Sequence, residues 1–209
     1  MSNFLSGKTA NEIRDGAFAV LLSEGLPYLS YEKVAQASGV TRQLVRYHFP
    51  EPETLMLEIC EQLATNYREI MIRSVSQDPT QNRLSVFFDF YFDLLEGAVK
   101  PRDDQVYDAL FSLAAKSEPI RTNLREQYQL LGKVLSHELR LEHSSISIES
   151  CEEIAYLLIT IMYGHWKMVA TLGMAESNNR VARSAIDRLL ASYLKEPTPQ
   201  SVSSVFKDP

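Results

Sequence analysis

The amino-acid sequence predicts an all-α protein of about nine helices, and three observations carry that prediction. Apolar residues recur at helical spacing along nearly the whole chain. Runs of β-branched residues with alternating polarity do not extend beyond a few positions. Chain breakers are few and fall between the periodic segments: 9 prolines and 8 glycines in 209 residues, with no proline from Ile120 to Glu196.

The elements follow in order. The first helix opens at Thr9-Ala10-Asn11-Glu12, a capping-box pattern in which the two side chains satisfy each other's backbone amides. Its apolar stripe is Ile13, Ala17, Val20 and Leu21, and Gly25 closes it. Ser30 caps a short second helix over about 31–38, with Val34 and Ala35 inward. Gly39 ends that helix, Thr41 caps a third from Arg42 to Phe49, and Pro50 stops it. Pro52 suits a first helical turn, and a long fourth helix is expected from Glu53 to about Ser76. A fifth is expected over about 80–98, a sixth over 103–116 and a seventh over 119–142. Ser147 can cap an eighth helix ending near Gly173, and Ser177 a ninth ending near Lys195. The tail 197–209 is polar and proline-bearing and reads as disordered.

Composition narrows the function classes. Apolar residues at 45% and charged residues at 23% are the balance of an ordinary globular protein. A net charge of −6 and a pI near 5.3 exclude a protein that coats nucleic acid through bulk charge, so any such contact must be local. Two cysteines, Cys60 and Cys151, exclude a disulfide scaffold and suit a reducing compartment. The opening residues lack the basic lead-in and apolar run of a targeting signal. The longest apolar stretch, Ile154 to Tyr163, is half of the ~20 residues a bilayer span needs. The expectation is a cytoplasmic protein with no membrane partner.

Three short helices within Thr9–Phe49, the last two joined by a tight glycine turn, have the dimensions of a helix-turn-helix unit. On the third, Val45 and Phe49 share one face, while Arg42, Gln43, Arg46 and Tyr47 fall on the other. Arginine can address guanine or phosphate, glutamine adenine, and tyrosine phosphate, so this is chemistry that suits the major groove. A solvated face of a small packing unit would show the same amphipathic pattern.

The longer pattern decides between them. An alanine-bearing first helix, Glu24-Gly25, Ser30, Val34-Ala35, Ala37-Ser38-Gly39-Val40-Thr41 and His48-Phe49-Pro50 together resemble the N-terminal domain of the tetracycline-repressor (TetR) family. The resemblance covers about a fifth of the chain, from Ile13 to Phe49. It implies a DNA-binding domain at 1–50 and an effector-binding and dimerisation domain at 51–196. It also implies roles: Thr41 capping the recognition helix and touching phosphate, Arg42, Gln43 and Leu44 facing bases, and Tyr47 and His48 at the backbone-contacting end. With Ser30, Lys33 and Arg46 these form the expected DNA-binding set. The chain departs from the family pattern at Arg46, where tyrosine is usual, and at Glu51-Pro52-Glu53, where a lysine usually opens the fourth helix. Residues 1–60 carry five basic and seven acidic side chains, while residues 30–49 hold Lys33, Arg42 and Arg46 against Glu32. A local basic strip that releases few counterions is therefore expected.

The fifth helix is dense in rings: Phe87, Phe88, Phe90, Tyr91 and Phe92. One stripe runs through Leu84, Phe88, Tyr91 and Leu95, another through Val86, Phe90 and Leu94, and Asp89, Asp93 and Glu96 form a narrow polar one. Core packing explains many of these rings. With Tyr107, Phe111, Tyr128, Met162 and Trp166, however, Phe88, Tyr91 and Phe92 form a candidate effector pocket for a small apolar or aromatic molecule. Asp89 or Asp93 facing inward would point to a cationic one. The eighth helix is apolar nearly all round and must be covered on both sides. Paired with the ninth, it forms in the family a two-fold four-helix bundle, and Ile154, Leu158, Ile161, His165, Ile186, Leu190 and Tyr193 are the expected homodimer interface.

The resemblance thus implies a dimeric, ligand-responsive transcriptional regulator, usually a repressor. It would read a palindromic operator in double-stranded DNA and release it when the effector shifts the fourth helix. Two rivals remain open at this point. One is a helical small-molecule-binding protein whose DNA-binding domain is degenerate. The other is a metal-dependent helical enzyme on Asp103, Asp104 and Asp108, acids that a helix N-terminus favours in any case. Ser6-Gly7-Lys8-Thr9 resembles the end of a phosphate-binding loop, but position 2 is serine where the earlier glycine is needed. His48, His137, His143 and His165 lack metal-ligand spacing, and no nucleophile motif is present. No catalytic residue, metal or cofactor is expected.

Overall fold

The computed structural model describes residues 2–77, 82–97, 100–195 and 205–206, and the side chains among them except those of 2–6 and 70–77. Among the described residues the architecture is all helical: α1 (Ser2–Ser23), α2 (Tyr31–Ser38), α3 (Arg42–His48), α4 (Pro52–Gln77), α5 (Arg83–Tyr91), α6 (Asp104–Ala114), α7 (Glu118–Glu142), α8 (Ile148–Trp166) and α9 (Asn178–Lys195). A short 3₁₀ turn, Leu26–Tyr28, precedes α2, and a wider π turn, Lys167–Thr171, extends α8.

Two boundaries differ from expectation for identifiable reasons. α1 begins at Ser2 rather than Thr9. Gly7 is exposed, and a single exposed glycine costs a helix only about 1 kcal/mol, so the capping-box residues sit inside a helix that has already started. α5 ends at Tyr91, well short of 98. Asp93 takes a left-handed conformation (φ 56°) that aspartate tolerates, and Gly97 follows with φ 79°. Phe92 consequently leaves the helix and turns fully inward, and Asp89, Asp93 and Glu96 no longer share a helical face.

The contacts divide the chain into two compact units. The first joins residues 1–67 to 102–125. Its core takes Ile13, Ala17, Val20 and Leu21 from α1, Val34 and Ala35 from α2, Val45 and Phe49 at α3, Leu55, Ile59 and Leu63 from α4, and Val106 and Leu110 from α6. α1 packs on both α2 and α6. The crossing of α1 and α2 is very close. A Cβ added to Gly16 would lie 2.1 Å from Ser38 Oγ and 2.9 Å from the Ser38 backbone nitrogen. Only a residue without a side chain fits there, and the Ser38 hydroxyl turns back to donate to the Val34 carbonyl at 2.6 Å.

The second unit joins residues 68–101 to 126–209. Leu84, Phe88 and Phe92 meet Leu135 and Leu139 of α7, Ile154, Leu158 and Met162 of α8, and Ile186 of α9 in one buried cluster. Both apolar stripes of α5 are covered, since Leu84 and Phe88 are buried and so are Val86 and Phe90. Near the chain end the Val205 amide donates to Glu152, and the Phe206 ring rests on Gly132 of α7, where a Cβ would collide with it.

Candidate nucleic-acid interface and aromatic cluster

Local chemistry builds the helix-turn-helix. The Ser30 hydroxyl accepts from the Lys33 amide and starts α2. Gly39, left-handed at φ 68°, ends it, and the Val40 amide returns to the Ala35 carbonyl at 3.1 Å. Two residues later the Thr41 hydroxyl accepts from the Leu44 amide at 3.2 Å and starts α3. At the far end the Phe49 amide closes on the Val45 carbonyl. The Tyr31 hydroxyl, half-buried, reaches the carbonyls of Phe49 and Pro50, each at 2.9 Å, and ties the end of α3 to the start of α2. Tyr31 has no signal in the sequence pattern, because its partners lie 18 and 19 residues away.

Buried Val45 and Phe49 anchor the inner face of α3. Thr41, Arg42, Gln43, Arg46 and Tyr47 are exposed, Tyr47 at 77%, and Leu44 and His48 are half-buried. The Tyr47 and His48 rings meet edge to face at 5.4 Å. Ser30 is exposed at the start of α2. Lys33 is held 2.9 Å from Glu24, so part of its charge is answered within the protein. Glu51 and Glu53 are exposed where α4 begins, and Glu53 accepts from Ser117. Of the acidic trio, Asp103 is buried and accepts from the Tyr67 hydroxyl at 2.9 Å, while Asp104 and Asp108 are half-buried. Among the described residues no group of three or more His, Cys, Asp or Glu side chains could hold a metal ion, and no helix is long and apolar enough to cross a membrane.

The residues expected to line an effector pocket are divided between the units. Tyr107 and Phe111 lie in the first, and the Tyr107 ring packs against Tyr67 at 6.1 Å. Phe88, Tyr91, Phe92, Tyr128, Met162 and Trp166 lie in the second. Phe88, Phe92, Met162 and Trp166 are buried, and Tyr91 and Tyr128 are half-buried. Phe92, His165 and Trp166 form a chain of edge-to-face rings at 5.2 and 5.5 Å, with Tyr91 on Phe92 at 5.9 Å. The Trp166 indole donates to the Tyr91 carbonyl at 2.9 Å. Over its ring, 4.1 Å from the centroid, stands the ammonium of Lys100, only 1% exposed. Burial, and more weakly the Lys100 charge, hold the His165 imidazole below its ordinary pKa despite its 2.9 Å hydrogen bond with Asn179. The carboxylates expected to invite a cation are engaged by the chain itself. Asp89 pairs with Arg183 at 2.7 Å, and Asp93 accepts the Lys100 amide at 3.0 Å.

Of the residues expected at a homodimer interface, Ile154, Leu158 and Ile186 are fully buried in the core of the second unit and are not on its surface. Periodicity alone could not tell which stripe of an all-round apolar helix faces its own core. Ile161, His165, Leu190 and Tyr193 stay half-buried. Burial and a hydrogen bond with Glu153 push the Tyr193 phenol up to about 12. The exposed large apolar residues on this helix pair are Ile148 and Tyr156 on α8 and Val181 and Leu194 on α9.

No family model matches the chain. It is 23% identical over 201 residues to the HTH-type transcriptional regulator AcrR of Shigella flexneri, covering 91% of this chain and 92% of that protein. Among solved structures, a TetR transcription regulator from Haloarcula marismortui superposes with a TM-score of 0.74 at 17% identity, over 90% of this chain and 98% of that one. The multidrug binding protein EbrR, solved with ethidium, gives 0.67 at 19% identity, over 87% and 98%. The helix order, the capped α3 and these neighbours agree: the chain has the fold of the tetracycline-repressor family of transcriptional regulators, the same family that residues 13–49 resemble.

Proposed function

We propose that the chain is a ligand-responsive transcriptional regulator, a repressor, that binds a palindromic operator in double-stranded DNA as a cytoplasmic homodimer. The observation that carries this reading is α3: a helix capped at both ends, anchored by Val45 and Phe49, with Arg42, Gln43, Arg46 and Tyr47 turned out to solvent. Those side chains supply base-edge and phosphate contacts, and Ser30, Lys33, Thr41, Leu44 and His48 flank them. Half-sites read by two copies would be about one helical turn apart or more.

The second unit is the effector-binding part in this reading, with the rings of Tyr91, Phe92, His165 and Trp166 as its recognition surface. A small apolar or aromatic effector is the class these rings suit, and a neighbour solved with ethidium, a planar aromatic cation, supports it. Dimerisation through α8 and α9 would use Tyr156, Val181 and Leu194 together with Ile161, His165, Leu190 and Tyr193. Release of the operator requires only that the effector favour the DNA-incompetent state by a few kcal/mol.

Selection of bound duplexes from a random pool, at two salt concentrations, tests the reading. A recovered palindrome is the expected result, and its spacing reports the separation of the two recognition helices. A pool with no enrichment at low salt, before and after refolding to strip ligand, would overturn it in favour of a helical small-molecule-binding protein with a degenerate DNA-binding domain.

A further inference from the structure

We propose that the face of Trp166 is a binding site for a small organic ammonium, and that the chain's own Lys100 occupies it. Lysine is almost never fully buried unless something holds its charge, yet Lys100 is 1% exposed. Its ammonium stands 4.1 Å from the Trp166 ring centroid and donates to the Pro101 carbonyl at 3.1 Å. The ring is itself fixed in place, since its N–H donates to the Tyr91 carbonyl and the His165 ring packs edge-on against it. An indole face and a carbonyl oxygen are both electron-rich, and the neighbouring imidazole stays neutral at pH 7. That is the chemistry that receives a cation.

Lys100 lies between α5 and α6, outside any helix. The backbone leaves α5 after Tyr91 through the left-handed Asp93, whose carboxylate accepts the Lys100 amide. A side chain outside a helix can withdraw without unwinding one, so an incoming ammonium competes with a tethered one. A quaternary ammonium carries no N–H groups that must be re-satisfied and keeps its charge against the ring, which gives it the advantage over lysine at this face. The inference rests on the second unit being the effector-binding part, and it supplies the effector's chemical class.

Trp166 is the only tryptophan in the chain, so its fluorescence reports this site alone. The full chain and its Lys100→Ala variant are titrated with choline and with 3,3-dimethylbutan-1-ol, the uncharged isostere. The expected result is a saturable choline response at least tenfold tighter in Lys100→Ala, with the alcohol at least tenfold weaker than choline in both. Lys100→Met keeps the apolar stem and fills the space, so it remains readable should the alanine variant not fold. It is expected to shift the ligand-free emission, because the charge leaves the indole face, and to bind choline no better than the parent. An unshifted emission in Lys100→Met, no saturable response in folded Lys100→Ala, or an equal response to the alcohol would each overturn the proposal. A choline response in a protein that selects no operator would sink the regulator reading and leave the cation site standing; operator selection without a choline response would do the reverse.

Discussion

Replacing Gly16 with alanine should destabilise the first unit, and the size of the effect can be worked from the α1–α2 crossing. The new Cβ would lie 2.1 Å from Ser38 Oγ, 2.9 Å from the Ser38 nitrogen and 3.1 Å from the Ser38 Cβ. The hydroxyl can rotate away at the loss of its bond to Val34, but the backbone nitrogen cannot, so α2 must shift. Overpacking of this kind costs about 1–3 kcal/mol. Alanine in a helix interior returns about 1 kcal/mol of propensity, leaving a net loss of up to about 2 kcal/mol. Gly7 supplies the control within the same helix. It is exposed, a Cβ there meets nothing within 4 Å, and Gly7→Ala should stabilise by about 0.5–1 kcal/mol. Urea unfolding of the two variants at one protein concentration should place their midpoints on opposite sides of the parent. Adding Ser38→Ala to Gly16→Ala should recover part of the loss, because it removes the nearest atom and leaves the nitrogen. Equal stabilisation by both glycine replacements would refute the claim that Gly16 sets the crossing.

Other expectations are more direct. Arg46→Ala should lower affinity for the selected operator about tenfold or more, about 1–3 kcal/mol, with an unchanged melting temperature, because the side chain is exposed; unaltered affinity in a gel shift would remove its assigned role. Tyr31→Phe should cost about 0.5–1.5 kcal/mol by removing the hydroxyl that reaches two carbonyls at the end of α3, and a melting curve matching the parent would contradict it. The His165 pKa lies below its unfolded value near 6.5, so as pH falls through that value the unfolded chain takes up a proton first and stability drops until the folded pKa is passed. His165→Gln, which does not titrate, should flatten thermal stability in that window, and identical slopes in parent and variant would argue against a buried neutral imidazole.

The parts of this protein that were legible in the sequence are those whose chemistry is local. Ser30, Thr41 and Ser147 each accept the amide three residues on, and Gly39 takes the left-handed conformation a helix end requires, so three helix starts and one stop follow from residue type and spacing. The two faces of α3 follow from period alone. What stayed hidden depends on residues far apart in the chain. The collision that keeps Gly16 a glycine comes from Ser38, the Tyr31 tie reaches Phe49, and Lys100 meets a ring 66 positions later. The end of α5 was hidden for a different reason: helical periodicity continues through Leu95, and nothing in an aspartate announces a left-handed backbone. Ile154, Leu158 and Ile186 illustrate the limit of hydrophobicity as a signal, because a residue facing its own core and one facing a second subunit look the same.

The short joint between α2 and α3 has a consequence for control. Gly39, Val40 and Thr41 are committed to a left-handed stop, a return hydrogen bond and a cap, and Tyr31 closes the far end. These contacts hold α3 to α2 at both of its ends, so the set of side chains it presents follows from the fold. In the proposed regulator an effector would therefore grade how tightly an operator is held without retuning which sequence is read. Its dose-response curves on different promoters should scale with one another and never change rank.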